Sequence, residues 1–370
     1  MAKGLFTQGL CVLCSAPVSL EEIQERLSQF ELVGIQESAE ESDAPRTLAY
    51  SFRPDVGGHM LVTPSTGTWP DDMGDPDESP DRFVAWSLGQ FGPLAFPGCL
   101  ERAAEQSWGW DDAATARDDH SCHIRLLISY VLVGDEEEDN DDEDETSLVP
   151  EDYDAIEELQ FLTKATSVLL EAPQALCYFN PGGEVMRDAT GLRQGLNYAW
   201  NHELPPLDMW TNVRMFVDED QWVIMDTVGN GQLDLPDMEA IYHRSDYEPS
   251  EVESFLRHAS LYLLTDGDEV TTGDTADGPG SILWRALECA EGLSDPPRPT
   301  IRWFPENDRD VPEPLLDPGE IDDELVDDES FDVEFDESDL GEDSITDLLE
   351  DGEYDFLDPH SSDDDESESR

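Results

Sequence analysis

Acidic charge, and where it lies, limits what this chain can fold into. Of 370 residues, 90 are Asp or Glu and 19 are Lys or Arg, so the formal net charge at pH 7 is −71. Residues 135–145 are acidic at every position except Asn140, and residues 306–370 hold 30 acidic residues against two arginines. Segments this charged, with little apolar surface, cannot bury a core of their own. We therefore predict a globular domain over residues 1–305 and a disordered acidic tail over 306–370.

The globular part is strongly acidic as well. The tail accounts for −28 of the net charge, which leaves −43 on residues 1–305, and lysine occurs only at Lys3 and Lys164. Binding to nucleic acid or to an anionic membrane needs clustered Lys or Arg, and the sequence has no such patch. The composition therefore disfavours nucleic acid and membranes as partners and leaves basic proteins, cations or no specific partner. A salt-rich cytosol, whose ions screen repulsion between like charges, explains the same composition without any partner.

Cysteine usage and hydropathy indicate a cytoplasmic protein. No apolar run is long enough to span a bilayer, and residues 1–17 lack the order of a secretory signal. Six cysteines are scattered through mostly apolar segments, which is typical of reduced, buried thiols. They are Cys11, Cys14, Cys99, Cys122, Cys177 and Cys289.

Residues 211–240 give the clearest structural pattern. Alternating apolar residues predict two strands joined by an acidic turn at 218–220, then a reversal at 229–231 and a further extended segment. The second strand, at 222–225, is apolar on both faces. Because such strands are usually covered on both sides, we predict that this hairpin is central to the fold. Asp226 and Asp237 are its main unexplained polar residues, and they either cap turns or line a pocket.

The remaining periodicity predicts an α+β fold with mainly antiparallel sheets and packed helices. We expect two sub-halves, about 1–134 and 150–305, joined by an acidic loop at 135–149. Capping boxes at Ser19–Glu22 and Ser250–Glu253 mark two helix starts, and Trp200 is expected on the buried stripe of its helix. Predicted helices are 20–30, 83–88, 100–108, 152–171, 188–203, 250–264 and 281–290, and predicted strands are 9–16, 47–52, 59–63, 122–133, 176–179 and 300–304.

Two pairs of residues have the types that bind metals or carry redox chemistry. His120 and His123 are three apart, and on a strand such residues point to opposite faces, which breaks a shared site. Zinc also needs three or four ligands. Cys11 and Cys14 have C-x-x-C spacing but lie within a strand, which favours core packing over redox chemistry. We predict no metal site at either pair.

A glycine-rich acidic loop and several tryptophans are the other features that could indicate ligand binding. Residues 266–277 carry carboxylates and glycines that suit a cation, but their spacing departs from a calcium-binding EF-hand loop. Five tryptophans are expected to be the ones nearest the surface: Trp69, Trp86, Trp108, Trp110 and Trp210. Packing in the core or at its rim is a more common role for such residues than stacking on nucleic-acid bases, which the lack of positive charge also disfavours. The sequence has no phosphate-binding loop, dinucleotide fingerprint or nucleophile elbow. We therefore predict no catalytic, cofactor-binding or metal-binding residue.

The order of several motifs resembles an uncharacterised group, the bacterial domain of unknown function 4261 family. The resemblance rests on LCVLCSAPVSLEEIQERL, WGWDDAATARDDHSCHIRLLISYV, FLTKATSVLLEAPQALCYFNPGG, VIMDTVGNGQLDLPDMEA and LTDGDEVTTGDTADG. These motifs cover much of residues 10–278. The resemblance implies a cytosolic α+β domain without an assigned activity, so it assigns no functional residue.

Three hypotheses about function follow from the sequence. The first is a non-enzymatic interaction module whose acidic surface and tail engage a basic protein, for example in a sequestering role. The second is an enzyme or small-ligand protein with a site in the cleft between the two sub-halves, marked by a deep pocket and perturbed carboxylates. The third is a salt-adapted protein whose charge carries no information about partners.

Overall fold

Two β-sheets form the framework of the protein. The structure, a computed structural model, describes residues 4–36, 46–131, 148–150, 152–267, 269–307 and 309–317. All described residues belong to one compact unit. The predicted acidic run 135–145 and residues 318–370 of the predicted tail lie outside the described residues.

The first sheet has seven strands, all paired antiparallel, in the order β2-β3-β4-β5-β1-β6-β7. Its inner strand β1 pairs with β5 on one side and β6 on the other, so Cys11 lies opposite both Arg125 and Phe179. The strands are β1 Gln8–Cys14, β2 Leu32–Gln36, β3 Thr47–Ser51, β4 His59–Ser65, β5 Cys122–Ser129, β6 Ala175–Asn180 and β7 Val185–Arg187.

Both faces of the first sheet are covered, because every residue of β1 is buried. Leu10 and Val12 face one core, which is covered by α1 (Leu20–Arg26), α5 (Ala155–Leu169) and α6 (Ala189–Asn201). The helices close over the sheet through regularly spaced apolar residues. The Ser19 side chain caps α1 by accepting from the Glu22 N–H at 3.2 Å, as predicted.

The opposite face is covered by the segment that contains α2 (Pro80–Ser87), α3 (Cys99–Glu105) and α4 (Ala113–Asp119). Trp69 lies at the centre of an aromatic cluster there, with ring centroids 5.4 Å from Phe91 and 5.2 Å from Phe179. Aromatic side chains bury large areas, so this cluster holds an otherwise irregular segment against the sheet.

The second sheet has six strands in the order β11-β12-β13-β10-β9-β8. All its pairs are antiparallel except β10 with β13. Its apolar face packs on α8 (Pro249–Asp266). The remaining elements are α7 Leu207–Trp210, β8 Asn212–Val217, β9 Trp222–Val228, β10 Asp237–His243, β11 Thr275–Gly278, β12 Ile282–Cys289, β13 Thr300–Pro305 and α9 Glu313–Leu316.

The two sheets meet through backbone that leaves no room for side chains. The Trp210 carbonyl accepts from Asn180 Nδ2 and Gln232 Nε2, both at 3.0 Å. A Cβ added at Gly183 would lie 1.8 Å from that carbonyl oxygen, and one at Gly229 would lie 2.7 Å from it. Gly229 also has φ of 123°, which favours glycine. Glycine at both positions therefore permits this close approach.

The predicted α+β class is confirmed, as are the hairpin's two strands and the extended segment that follows them. β9 is covered on both faces, as predicted. The hairpin is not central, however, because β8 forms one edge of its sheet.

Several local predictions were wrong. Residues 282–289 form β12 and not a helix, because Trp284 and Ala286 face the core while Leu283 is exposed, an alternation typical of a strand. Helix α8 starts at Pro249, so Ser250 does not cap it. Trp200 is 63% exposed. The sequence reasoning also missed β2, β7, α4, α7, β11 and α9, the last of which lies within the predicted disordered tail.

The division into sub-halves about 1–134 and 150–305 stays a prediction. The sheets do not divide at the 135–149 segment, because β6 and β7 follow it in the chain and complete the first sheet. Antiparallel pairing of β1 with β6 makes the two parts share a core.

Candidate functional site

A cluster of buried charges lies between the two sheets. We call it the ionic cluster, and it is centred on Arg214, whose side chain is fully buried. Arg214 stands opposite Asp226 in the pairing of β8 with β9 and binds it through two hydrogen bonds, of 3.1 and 2.6 Å. Its third nitrogen donates to Glu184 at 3.0 Å. The members of the ionic cluster are Arg102, Glu184, Arg214, Asp226, Asp237 and Arg298.

Arg298 extends the ionic cluster towards the start of β10. Its Nε donates to Asp237 at 3.1 Å, and its Nη2 donates to Asp226 at 2.5 Å and to the Thr227 carbonyl at 2.8 Å. Its Nη1 donates to the carbonyls of Ser294 and Pro296, at 3.0 and 2.6 Å. Every N–H direction of this guanidinium therefore has an acceptor.

Glu184 connects the ionic cluster to the first sheet. It lies in the turn between β6 and β7, and its Oε1 accepts from Arg102 of α3 at 2.7 Å. The same carboxylate accepts from Arg214 of the second sheet. Glu184 is 1% exposed, so this carboxylate joins the two sheets within the protein interior.

A second buried pair lies one strand further along. Glu239 of β10 and Arg302 of β13 are partners in the parallel register and form an ion pair, with both side chains fully buried. Arg302 also donates to the carbonyls of Leu315 and Asp317, at 3.1 and 2.6 Å. This pair therefore holds the 313–317 segment against the second sheet.

Burial and nearby arginines shift the pKa values of these buried carboxylates in different directions. Desolvation raises the pKa values of Glu184, Asp237 and Glu239, because nearby arginines only partly offset it. Desolvation would also raise the pKa of Asp226, but Arg214 and Arg298 outweigh it and lower that pKa. The pKa of Arg214 is raised because attraction to Asp226 outweighs desolvation. Asp226 and Arg214 are thus held as a charged pair.

A cleft of about 470 Å³ lies beside the ionic cluster, where the β6–β7 turn faces the connection from β9 to β10. Most of its wall is apolar, and its charged members are Asp234, Asp237 and Arg298. Such a volume is within the range of small-molecule sites. The other lining residues are Leu94, Phe96, Gly182, Val228, Gly229, Gly231, Leu235, Pro236, Pro296 and Pro299.

Two charged groups of the cleft wall, Asp237 and Arg298, are engaged in holding the fold. Asp237 accepts from Thr227 Oγ1 at 2.7 Å and from the Asn230 N–H at 3.1 Å, in addition to Arg298. These bonds fix its carboxylate in place. The arrangement suits recognition by shape and charge more than acid–base chemistry, which needs a group able to exchange a proton with a substrate.

His120 and His123 do not form a shared site. His120 follows α4, and its Nε2 accepts from the Trp69 N–H at 2.9 Å. His123 lies on β5 with Nδ1 3.0 Å from the Gly67 carbonyl, and burial lowers its pKa to about 3. Within the described part of the chain, no group of three or more His, Cys, Asp or Glu residues is placed to hold a metal ion.

The cysteines are part of the core. Cys11 and Cys14 face different cores on the two sides of β1. All six cysteines are free and buried. Burial raises the pKa of Cys14 to about 12, so its thiolate is strongly disfavoured.

The loop at 266–277, whose spacing departs from a calcium-binding loop, is only partly described, since residue 268 and the side chain of Asp266 lie outside the described residues. Within it, Asp274 accepts from the N–H and the hydroxyl of Thr271, at 2.8 and 3.1 Å. Residues 275–278 form β11. The described carboxylate of Asp274 therefore stabilises a turn.

The structure corrects the placement of three tryptophans. Trp69, Trp86 and Trp210 are buried and not near the surface, because the first two pack on the first sheet and the third lies between helices and both sheets. Trp110 is partly buried. Trp108 is 65% exposed, as predicted.

Trp108 lies in the loop between α3 and α4, and this loop and the two helices carry exposed carboxylates. These carboxylates are Glu101, Glu105, Asp111, Asp112, Asp118 and Asp119. The pKa of the Arg117 guanidinium on α4 is raised, mainly by its hydrogen bond to Asp118. The negative charges of Glu101 and Glu105 raise it further. The two arginines of this segment are paired, Arg102 with Glu184 and Arg117 with Asp118. We call Trp108 with these carboxylates the Trp108 face.

Sequence reasoning singled out Asp226 and Asp237 but missed their partners. The available signal was arginine within an apolar strand, in a chain where positive charge is scarce. Arg214 stands between Val213 and Met215, and Arg302 stands between Ile301 and Trp303. An arginine at such a position must find a carboxylate if the strand is buried.

Comparison with known families gives one match. Residues 226–304 match the family described as Domain of unknown function (DUF4261). This region contains Asp226, Asp237 and Arg298 of the ionic cluster and the Glu239–Arg302 pair. No curated protein and no solved structure matches the chain.

Proposed function

We propose that this chain, whose residues 226–304 match the DUF4261 family, is a non-enzymatic interaction module that engages a basic protein partner. The observation that supports this most is the use of its scarce positive charge. The described arginines are largely paired with carboxylates within the molecule, and most of the charge exposed at the surface is carboxylate.

Four arginines lie in the buried networks, where they pair with four carboxylates and cancel them. The remaining 15 basic and 86 acidic residues therefore carry the whole net charge of −71. Seven further arginines are also paired with carboxylates: Arg26, Arg53, Arg82, Arg117, Arg257, Arg285 and Arg309. A field of one sign speeds encounter with an oppositely charged protein and repels nucleic acid.

The Trp108 face is the surface that best fits such a partner. Trp108 exposes 65% of its surface in a segment that carries six exposed carboxylates. An exposed indole attracts Lys or Arg over its ring face, and tryptophan is enriched among residues that dominate binding energy. A basic protein would find both charge and an aromatic anchor at this position.

We place this interaction in the cytoplasm. Six free, buried cysteines fit a reducing compartment. Among the helices that the structure describes, none has the length and apolar character needed to cross a bilayer.

The test is capture of partners from a lysate of the source cells at about 0.15 M salt, where the Debye length is about 8 Å. Three baits are compared: the full chain, a chain ending at residue 317, and polyglutamate of matched charge. We expect the full chain to retain one or a few basic proteins that polyglutamate does not. Equal capture by polyglutamate, or no capture, would refute the proposal.

A parallel experiment tests salt adaptation. Thermal melts across a wide salt range show a steep, continuing gain in stability for a protein that requires salt. For an interaction module we expect the gain to level off near physiological salt. A chain that folds only at much higher salt would favour adaptation over binding.

A further inference from the structure

We infer that the cleft between the two sheets binds a small organic cation with an aromatic or aliphatic body. This site is separate from the Trp108 face, and the inference does not depend on the basic-partner proposal. Three observations support it. The walls of the cleft are apolar, the N–H groups of Arg298 already donate within the protein, and a carboxylate lies at the rim.

The walls of the cleft suit an apolar body. Leu94 and Phe96 approach from the cover of the first sheet, and Leu235 and Pro236 from the second. Glycines at 182, 229 and 231 line the same space, so backbone approaches the ligand closely. A cleft of about 470 Å³ with this lining resembles a preformed small-molecule site.

The polar groups of the cleft disfavour an anion. Arg298 is the only basic residue among those that line the cleft in the described chain, and all its N–H groups already donate within the protein. An anion would have to displace Asp226 or Asp237, both buried. Displacing one partner of a buried pair is strongly unfavourable.

Charge favours a cation instead. The six charges of the ionic cluster cancel, and Asp234 adds an exposed carboxylate at the rim. The rest of the chain contributes a strongly negative field. A low-dielectric cleft concentrates such a field on a ligand inside it.

The cleft is also held rigid, which lowers the entropy lost on binding. Asn230 donates from Nδ2 to the Pro236 carbonyl at 3.1 Å and to Ser260 Oγ at 2.9 Å. Gln8 of the first sheet donates to the Gln232 carbonyl at 2.7 Å. These bonds anchor the β9–β10 connection to α8 and to β1, so the walls are set before a ligand arrives.

The experiment is calorimetric titration of the full chain with 4-phenylbutylamine and with 4-phenylbutyrate, two probes of similar shape and opposite charge. Asp234→Asn removes the rim charge but suits the backbone, because Asp234 has φ of 59° and asparagine tolerates that conformation. Glu203→Gln is the matched control, since Glu203 is an exposed carboxylate with φ of 56° outside the cleft. Leu94→Trp fills the cleft.

We expect the amine to bind saturably and the carboxylate probe not to bind. Asp234→Asn should weaken amine binding about three- to fivefold, Glu203→Gln should leave it unchanged, and Leu94→Trp should abolish it. Binding of both probes alike, an equal effect of the Asp234 and Glu203 substitutions, or no amine binding would overturn the inference. The Asp234 comparison remains decisive if Leu94→Trp disturbs folding.

Discussion

Replacing Arg214 with methionine tests whether the ionic cluster holds the two sheets together. Methionine keeps an apolar stem of similar length, so the main change is loss of the guanidinium. Arg102 and Arg298 would then face Glu184, Asp226 and Asp237, which leaves the ionic cluster with an excess of one buried negative charge. Removing one member of a buried ion pair costs about 3–5 kcal/mol. Because total stability is typically about 5–15 kcal/mol, this loss is large.

Urea unfolding, followed by tryptophan fluorescence, measures this cost. The matched control is Arg82→Met, which removes an ion pair of similar length, to Asp72, at a surface site where both side chains are more than 40% exposed. We expect that control to cost about 0–1 kcal/mol. The difference between the two substitutions isolates the effect of burial.

A double substitution sharpens the result. Adding Asp226→Asn to Arg214→Met restores neutrality to the ionic cluster, so the double variant should be more stable than the sum of the two single losses predicts. Contacting charges commonly couple by about 0.5–3 kcal/mol. If Arg214→Met costs no more than Arg82→Met, or if the two single losses simply add, the cluster does not act as argued.

Three further predictions concern packing, pH and thiols. Gly183→Ala should destabilise the chain by about 1–3 kcal/mol or more, whereas Gly34→Ala, where an added Cβ meets nothing within 4 Å, should change stability little; urea midpoints compare them. At fixed ionic strength, the urea midpoint should rise as pH falls from 7 towards about 5, because carboxylates with raised folded pKa values take up protons in the folded state. It should fall below about pH 4, because the pKa of Asp226 is lowered on folding and its stabilising charge is lost there; a steady fall from pH 7 would contradict this. Thiol reagents should modify none of the six buried cysteines in the native chain and all six in denaturant, and fast native labelling would show that the cores open.

Sequence patterns identified elements whose environment is local. The α1 cap depends on Ser19 and Glu22 alone, and the hairpin depends on alternation within residues 212–228. The mistaken helix at 281–290 shows the limit of this reasoning. There Trp284 and Ala286 are buried by α8 and by neighbouring strands, which the local pattern does not contain.

For the same reason, the sequence indicated only two acidic residues of the ionic cluster and not their arginine partners. Asp226 and Asp237 stood out as acids within an apolar segment. Their partners Arg214 and Arg298 lie 12 and 61 residues away from them in sequence, respectively, and Glu184 comes from the other sheet. Pairing between distant charges follows from sheet topology, and one sequence without relatives does not fix that topology.

The most direct test of the proposed partner compares two variants that carry the same net charge. One neutralises four carboxylates of the Trp108 face, at Glu101, Glu105, Asp111 and Asp119. The other neutralises four exposed carboxylates elsewhere, at Glu219, Asp220, Glu248 and Glu251. In lysate capture at about 0.15 M salt, we predict that the first variant loses the basic partner and the second retains it. Equal retention, or equal loss, would contradict a specific acidic interface.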